Sequence, residues 1–410
     1  MEYGKLNVNV VSTRDSRPVN GAKIRITTEN EPDKTIEEAA ANSEGQLNNV
    51  ELEAPPVEYS MEPSANKPYS EYTIYISAPG FETVEVSGAE IFSGETAIQN
   101  VSLLPVDETE PNSAELFVIP DHTLWGDYPP KIAESEIKTV GDSGEIVLSE
   151  VVIPEYMVVH DGPPKDSSAK DYYVKYKDYI KNVASSEIYS TWPEATIQAN
   201  VLAIQSFTLN RVYTEWYRNK GYDFTITTST AYDHKWVPNR NIFESISNVV
   251  DEIFSNYLSR PNVEQPILTQ YCDGKNVSCP NWMSQWGSKS LGDQGYTAIE
   301  ILRNYYGDSI FINETEEISG IPSSYPGTPL RTGSSGEKVR QMQRFLNVIS
   351  NAYPLIPKIA EDGIFGPLTE EAVKTFQKVF KLTQDGIVGF NTWYKISEIY
   401  VGVSRIAELT

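Results

Sequence analysis

Cysteine and histidine are scarce in this chain, with two of the first and three of the second in 410 residues. Cys272, Cys279, His122, His160 and His234 are therefore the whole supply of soft or imidazole ligands, and neither a metal nor an organic cofactor is expected. The cysteines sit in Tyr271-Cys-Asp-Gly-Lys-Asn-Val-Ser-Cys279, where the Asp273-Gly274 pair marks a tight turn. A small-loop disulfide, two free thiols and a thiolate metal site all remain open on spacing alone. Long apolar runs are also missing: none approaches the roughly 20 residues that span a bilayer. The start, MEYGKLNVNV, has no basic segment followed by an apolar core, so no secretory signal peptide is expected and a role outside the cytoplasm needs a special route. Positive charge is short, 33 Lys and Arg against 57 Asp and Glu for a net charge of -24. That balance argues against a nucleic-acid partner and against an anionic membrane surface. The acidic excess is concentrated in the first quarter, with Glu37, Glu38, Glu51, Glu53 and Glu58; the last eighty residues are near balance and suit contact with an anionic polymer.

What is present reads as a multidomain α+β protein, since single cores seldom grow past roughly 250 to 300 residues. Residues 1–106 alternate with period two (Leu6, Val8, Val10; Ile24, Ile26; Tyr72, Ile74, Ile76) and predict a β-sandwich. Residues 107–170 are rich in Pro, Asp, Glu and Ser and read as a connector, with a short β-like piece at Glu145–Leu148 and a loop at Asp161–Ser168. Residues 171–310 mix helices and strands. One helix is expected from about Glu194, with Ser190 or Thr191 as its cap and Ile197, Val201, Ile204, Thr208 and Val212 on one face. Another is expected from Ile242 to Tyr257, and strands at Phe224–Thr228 and Pro266–Tyr271. A polar linker at 311–327 leads to a small domain at 328–410 made of three helices.

Three stretches resemble known families. Pro18-Val-Asn-Gly-Ala22, Ala78-Pro-Gly-Phe81 and Val101-Ser-Leu-Leu-Pro105 resemble the transthyretin-like and carboxypeptidase regulatory-like domains, which implies a spacer, pro-region or docking surface without chemistry. At the other end, Leu330-Arg-Thr-Gly-Ser-Ser-Gly336, Asp362-Gly-Ile-Phe-Gly366 with Thr369, and Asp385-Gly-Ile-Val-Gly389 with Thr392-Trp393 are similar to the type 1 peptidoglycan-binding domain. The twin Asp-Gly turns place glycine where φ must be positive. The resemblance implies peptidoglycan as partner, with binding expected on the surface around Phe365, Thr369 and Trp393.

The central region resembles the stage II sporulation protein D family of peptidoglycan lytic transglycosylases. The likeness is carried by Tyr179-Ile-Lys-Asn-Val-Ala-Ser-Ser-Glu187 with Trp192-Pro193, and by Met283-Ser-Gln-Trp-Gly287 with Gly295-Tyr296 and Ile301–Gly307. It implies that Glu187 is the catalytic acid. One carboxyl group suffices for such chemistry: it protonates the glycosidic oxygen between N-acetylmuramic acid and N-acetylglucosamine, then accepts the proton of the muramic C6 hydroxyl, leaving a 1,6-anhydro end. Burial among Val183, Ile188 and Trp192 is expected to keep it protonated. Hydrolytic glycosidases use two carboxylates, and Asp233, Asp273 or Asp293 are the candidates for a second. Tyr271, Gln285 and Trp286 are the residues expected to hold the sugar, by hydrogen bonds to N-acetyl groups and by ring stacking. His234 reads as a hydrogen-bonded structural histidine, with metal ligation as its alternative. The order of the three parts resembles the spore cortex-lytic enzymes of the SleC type, which implies a precursor trimmed by an activating protease and a place in the spore or cell wall. A hydrolysing N-acetylmuramidase and a non-catalytic wall-binding protein or amidase enhancer are the rival readings.

Overall fold

The alternation of Leu6, Val8 and Val10 is realised in the computed structural model, which describes residues 2–29, 31–106, 114–122, 124, 129–138, 150–277, 279–318, 326 and 328–404. Four strands open the chain: β1 (Glu2–Ser12), β2 (Lys23–Thr28), β3 (Glu31–Ala40) and β4 (Gln46–Ala54). After one helical turn, α1 (Glu58–Met61), come β5 (Ser70–Ser77), β6 (Thr83–Ile91), β7 (Thr96–Leu103) and β8 (Ala114–Val118). They form two sheets, one ordered β3-β2-β5-β6-β8 and the other containing β7-β1-β4. Leu6, Val8 and Val10 from one and Ile24, Ile26, Ile74 and Ile76 from the other are wholly buried in a shared apolar cluster. Each such side chain contributes about 1.5 to 3 kcal/mol on leaving water.

The middle of the chain adds β9 (Tyr156–His160), β10 (Asp171–Lys175), α2 (Tyr176–Glu187), α3 (Glu194–Tyr213), β11 (Ile226–Thr227), β12 (Ile242–Phe243), α4 (Glu244–Ile253), β13 (Asn256–Ser259), β14 (Tyr271–Cys272), β15 (Met283–Ser284), α5 (Gln285–Asp293), α6 (Ala298–Tyr306) and β16 (Phe311–Glu314). α3 is buried nearly all round instead of on one face, so its polar residues bond internally: Ser206 and Thr208 to the carbonyls of Leu202 and Ile204, Asn200 to Ser288. Its N-cap position is Pro193, whose carbonyl accepts from Thr196 and Ile197; neither Ser190 nor Thr191 caps it. The helix expected from Ile242 to Tyr257 is shortened at both ends by sheet pairing. Ile242 and Phe243 add a strand to the sheet of β7, β1 and β4, opposite Ile98 and Ala97, and Tyr257 pairs with Asn313. The strand expected at Pro266–Tyr271 is confined to Tyr271–Cys272, and that at Phe224–Thr228 to Ile226–Thr227. β9, in the stretch read as a connector, is the middle strand of the sheet β10-β9-β11, and the stretch read as a polar linker begins as β16. The β-like piece Glu145–Leu148 and part of the linker, 319–325 and 327, lie outside the described residues.

The last three helices, α7 (Glu337–Ser350), α8 (Pro367–Val379) and α9 (Phe390–Ser404), enclose their own apolar cluster. Two copies of one polar motif hold it. Gln343 Nε2 donates to Asp362, to the carbonyl of Ile364 and to Thr369 while its oxygen accepts from Gly363; Gln377 repeats this with Asp385, Ile387, Thr392 and Gly386. Gly363 and Gly386 both have φ of +74°, which the tight turns require. Phe390 and Tyr394 pack on Phe254 at 5.5 and 4.7 Å between ring centroids, and Lys175 pairs with Glu398 at 3.1 Å, so this unit rests on the middle of the chain. No helix among the described residues is long and apolar enough to cross a membrane.

Candidate active site

α2 ends at Glu187 because Ile188 turns to an extended conformation, its N–H still bonded to the carbonyl of Ala184. The chain then passes through buried Tyr189 and Trp192 before Pro193 starts α3. The opposite wall is β14, paired in parallel with β15 so that Tyr271 lies beside Met283 and Cys272 beside Ser284. α5 begins at the next residue, its N-cap Ser284 accepting from Gly287 at 2.9 Å. This short β-turn-helix unit delivers Tyr271 and Gln285 to Glu187 together.

The Glu187 carboxylate receives the Lys235 main-chain N–H at 2.6 Å on one oxygen and the Tyr271 hydroxyl on the other. Gln285 Nε2 donates to the Glu187 carbonyl at 2.9 Å. Burial pushes the Glu187 pKa above its ordinary value of 4.5, against the opposing pull of the Lys131 ammonium, the Tyr271 hydroxyl and the Lys235 N–H. Burial, reinforced by Glu187, pushes the Tyr271 phenol well above its usual range, so it keeps its proton and acts as donor. These groups face an open pocket, whose rim also includes Pro129, Lys131, Thr230 and Asp273.

His234 is stacked on Tyr271, with centroids 5.8 Å apart, and its Nδ1 meets the Tyr179 hydroxyl at 3.0 Å. Burial and the nearby charges of Lys131 and Arg211 hold it well below its ordinary pKa, as a neutral ring. Of the three candidate second carboxylates, Asp233 is fully buried and engaged by Arg211, Tyr217 and Thr227; Asp293 pairs with Lys289 away from the pocket. Asp273 does line the pocket, but its oxygens are taken up by the N–H groups of Lys275, Asn276 and Val277.

Asp273 belongs to the loop closed by a Cys272–Cys279 disulfide, with Cα atoms 5.7 Å apart. At Gly274, φ is +75° and a Cβ would collide with Ser284, which confines that turn to glycine. The loop forms one lip of the pocket through Asp273 and Val277. Removing the bridge in a Cys272→Ser, Cys279→Ser protein is expected to lower stability by about 2 kcal/mol on loop-closure entropy. A urea midpoint unchanged from the parent would contradict this.

Several expected binding residues take other roles. Trp286 is buried behind the pocket against Trp192 at 4.9 Å and Tyr189 at 6.1 Å, where a sugar cannot stack on it. Phe365, Thr369 and Trp393 are also buried, at 1%, 3% and 2% exposure, and belong to the core of the C-terminal unit. Their apolar burial and the Gln343–Thr369 bond make them scaffold. Sequence reading missed Lys131, whose ammonium lies 4.7 Å over the Tyr271 ring and 5.2 Å over the Phe207 ring and donates to the Asp233 carbonyl. It lies in Pro129-Pro130-Lys131, a stretch without periodicity, and no sequence signal pointed to it. Equally unannounced is the support from the N-terminal region. Trp192 Nε1 donates to the Ser60 carbonyl at 3.0 Å, Lys235 Nζ to that of Asp121 at 2.9 Å, and buried Arg240 pairs with Glu90, itself bonded to His122.

Residues 335–396 match the peptidoglycan binding domain family. A zinc D-Ala-D-Ala carboxypeptidase of Streptomyces albus G is 43% identical over 77 residues, 18% of this chain and 28% of that protein. The N-acetylmuramoyl-L-alanine amidase CwlL of Bacillus licheniformis is 25% identical over 223 residues, 54% of this chain and 58% of that one. The chain thus spans less than two thirds of the length of these curated relatives. Among solved structures, the SleB N-terminal domain aligns at 28% identity over 19% of this chain and 99% of that one with a TM-score of 0.17, and transthyretin from Sparus aurata at 13% identity over 24% and 90% with a TM-score of 0.16.

Proposed function

We propose that this chain is a peptidoglycan-acting enzyme, specifically a lytic transglycosylase that cuts between N-acetylmuramic acid and N-acetylglucosamine. The observation that carries the proposal is the buried carboxyl of Glu187, raised in pKa and held by a phenol and a main-chain N–H at the edge of an open pocket. In the protonated form Glu187 gives its proton to the glycosidic oxygen as the C1–O bond breaks. The muramic C6 hydroxyl then closes on C1 and returns its proton to the Glu187 carboxylate, so no water is consumed. Tyr271 and the Lys235 N–H stabilise the carboxylate between the two transfers. Gln285 fixes the Glu187 main chain. The match of residues 335–396 to the peptidoglycan binding domain family supports peptidoglycan as the polymer. Spore cortex as its specific form, and a protease that removes the N-terminal region as activating partner, are parts of the proposal that rest on the order of the three sequence regions alone.

A hydrolysing N-acetylmuramidase is the second reading, favoured by the place of Asp273 on the pocket rim. The test is to incubate the full chain, and a form lacking the N-terminal region, with decoated spore cortex and with vegetative wall, then to identify the soluble ends by mass spectrometry. Anhydro-muramic ends are the expected product. Reducing ends would replace the proposal with hydrolysis, released stem peptides would assign an amidase, and pelleting with no fragments from either form would reduce the chain to a wall-binding protein.

A further inference from the structure

The described residues 129–138 run as a strap along the segment 265–271, fastened by side chains more than by regular sheet pairing. Ile132 N–H donates to the Ala231 carbonyl at 2.8 Å, and Gln270 bridges the Ile132 carbonyl and the Glu134 N–H at 2.7 and 3.0 Å. Leu268 N–H donates to the Glu136 carbonyl at 2.9 Å, and Gln265 pairs with both main-chain groups of Lys138. Two forked contacts complete the fastening: Arg211 on Glu134 at 2.9 and 2.7 Å, and Arg260 on Glu136 at 2.6 and 2.7 Å. So anchored, the strap has one side chain that enters the pocket with a charge, and that is Lys131.

Lys131 shares the pocket with Glu187 while its ammonium donates to the Asp233 carbonyl; burial lowers its own pKa, opposed first by Glu187 and then by Asp233. Arg211 is engaged by Asp233 and Glu134, and Lys138 by Glu134. Around Glu187 stand Tyr179 of its own helix α2 and, from the other elements, Tyr271 of β14, which stays protonated, Asp273 of the disulfide loop, Lys235, whose ammonium reaches outward to the Asp121 carbonyl, and behind Tyr271 the neutral His234. We propose that Lys131, brought in by the strap, is the positioning residue that sets the pH at which Glu187 is loaded with a proton. It acts through charge alone and makes no contact with the reacting bond. Because a cation favours the carboxylate, its removal shifts Glu187 toward the acid form that protonates a leaving oxygen. The pH response of the site is therefore written in a segment outside the motifs that build the site.

The consequence for catalysis rests on the function proposed above; the coupling between Lys131 and Glu187 does not, and the experiment separates them. The protonated carboxyl band of Glu187 is followed by infrared spectroscopy through a pH titration of the full chain, with Glu187→Gln to identify the band. In Lys131→Met and Lys131→Gln the midpoint is expected to move up by about 1 to 3 pH units, while Lys131→Arg stays with the parent. A midpoint that does not move in a folded neutral variant, or that moves as far in Lys131→Arg, overturns the proposal; Lys131→Arg keeps that comparison available if a neutral variant does not fold. In parallel, the alkaline limb of glycan release is expected to move with the band. A shifted band with no glycan release from any form supports the coupling and overturns the catalytic reading.

Discussion

Glu187→Gln is expected to lower the release of anhydro-muropeptides by about 10²- to 10⁴-fold, the range a positioned general acid and base supplies. The amide has the size of the carboxyl and can still accept from the Lys235 N–H, but it has no proton to give the glycosidic oxygen and none to take from the C6 hydroxyl. Binding should survive, because the C-terminal unit has a separate core; pelleting with peptidoglycan is the control. The substitution has a second, opposite signature. Folding raises the Glu187 pKa, so the native state binds the extra proton and gains stability as pH falls from the native pKa toward the unfolded value. Above the native pKa the buried carboxylate is a cost, and Glu187→Gln is expected to be at least as stable as the parent at neutral pH. A variant that unfolds earlier there, or still releases anhydro ends, would remove Glu187 from the acid role.

The largest loss of stability is expected at Arg211, which is fully buried in α3 with Asp233 and Glu134 as its partners. Arg211→Met leaves Asp233 without a cation while Tyr217 and Thr227 still hold it in place, and breaking such a pair costs about 3 to 5 kcal/mol. It also releases the strap at Glu134. Arg211→Met with Asp233→Asn removes both charges and is expected to cost less than the sum of the single changes. The measurement is a urea double-mutant cycle. Simple additivity would mean that the buried pair does not hold this region together.

The difference between what the sequence discloses and what it hides follows the range of the interactions. Period-two alternation in β1, β2 and β5 is local, and so is the Asp-Gly turn that brings Cys272 to Cys279; both are visible in a few residues. Glu187 was marked by its neighbours in the Tyr179–Glu187 motif. The ends of α4 were not legible because they are decided by β7 and β16, far away in the chain. Phe365, Thr369 and Trp393 were misread for an instructive reason: a repeated Asp-Gly-Ile motif with a trailing Thr is as well explained by a core that repeats as by a ligand, and here each Gln binds its own turn. Lys131 was invisible because its meaning comes from where Gln265, Gln270 and Arg211 fasten the strap.

The strap also makes one chain behave as a pocket and its own tethered ligand. While the backbone is continuous, Lys131 is presented to the pocket at the high effective concentration of a short linker, and dilution cannot remove it. Were the backbone interrupted between Lys138 and Val151, the same contacts would join two molecules, and occupancy would obey mass action. The fragment would still be held by the Ile242–Phe243 pairing with β7, by Ser60 against Trp192 and by the forked arginines, so scission and release would be separate events. Residence time and ionic strength would then govern how long the lysine stays.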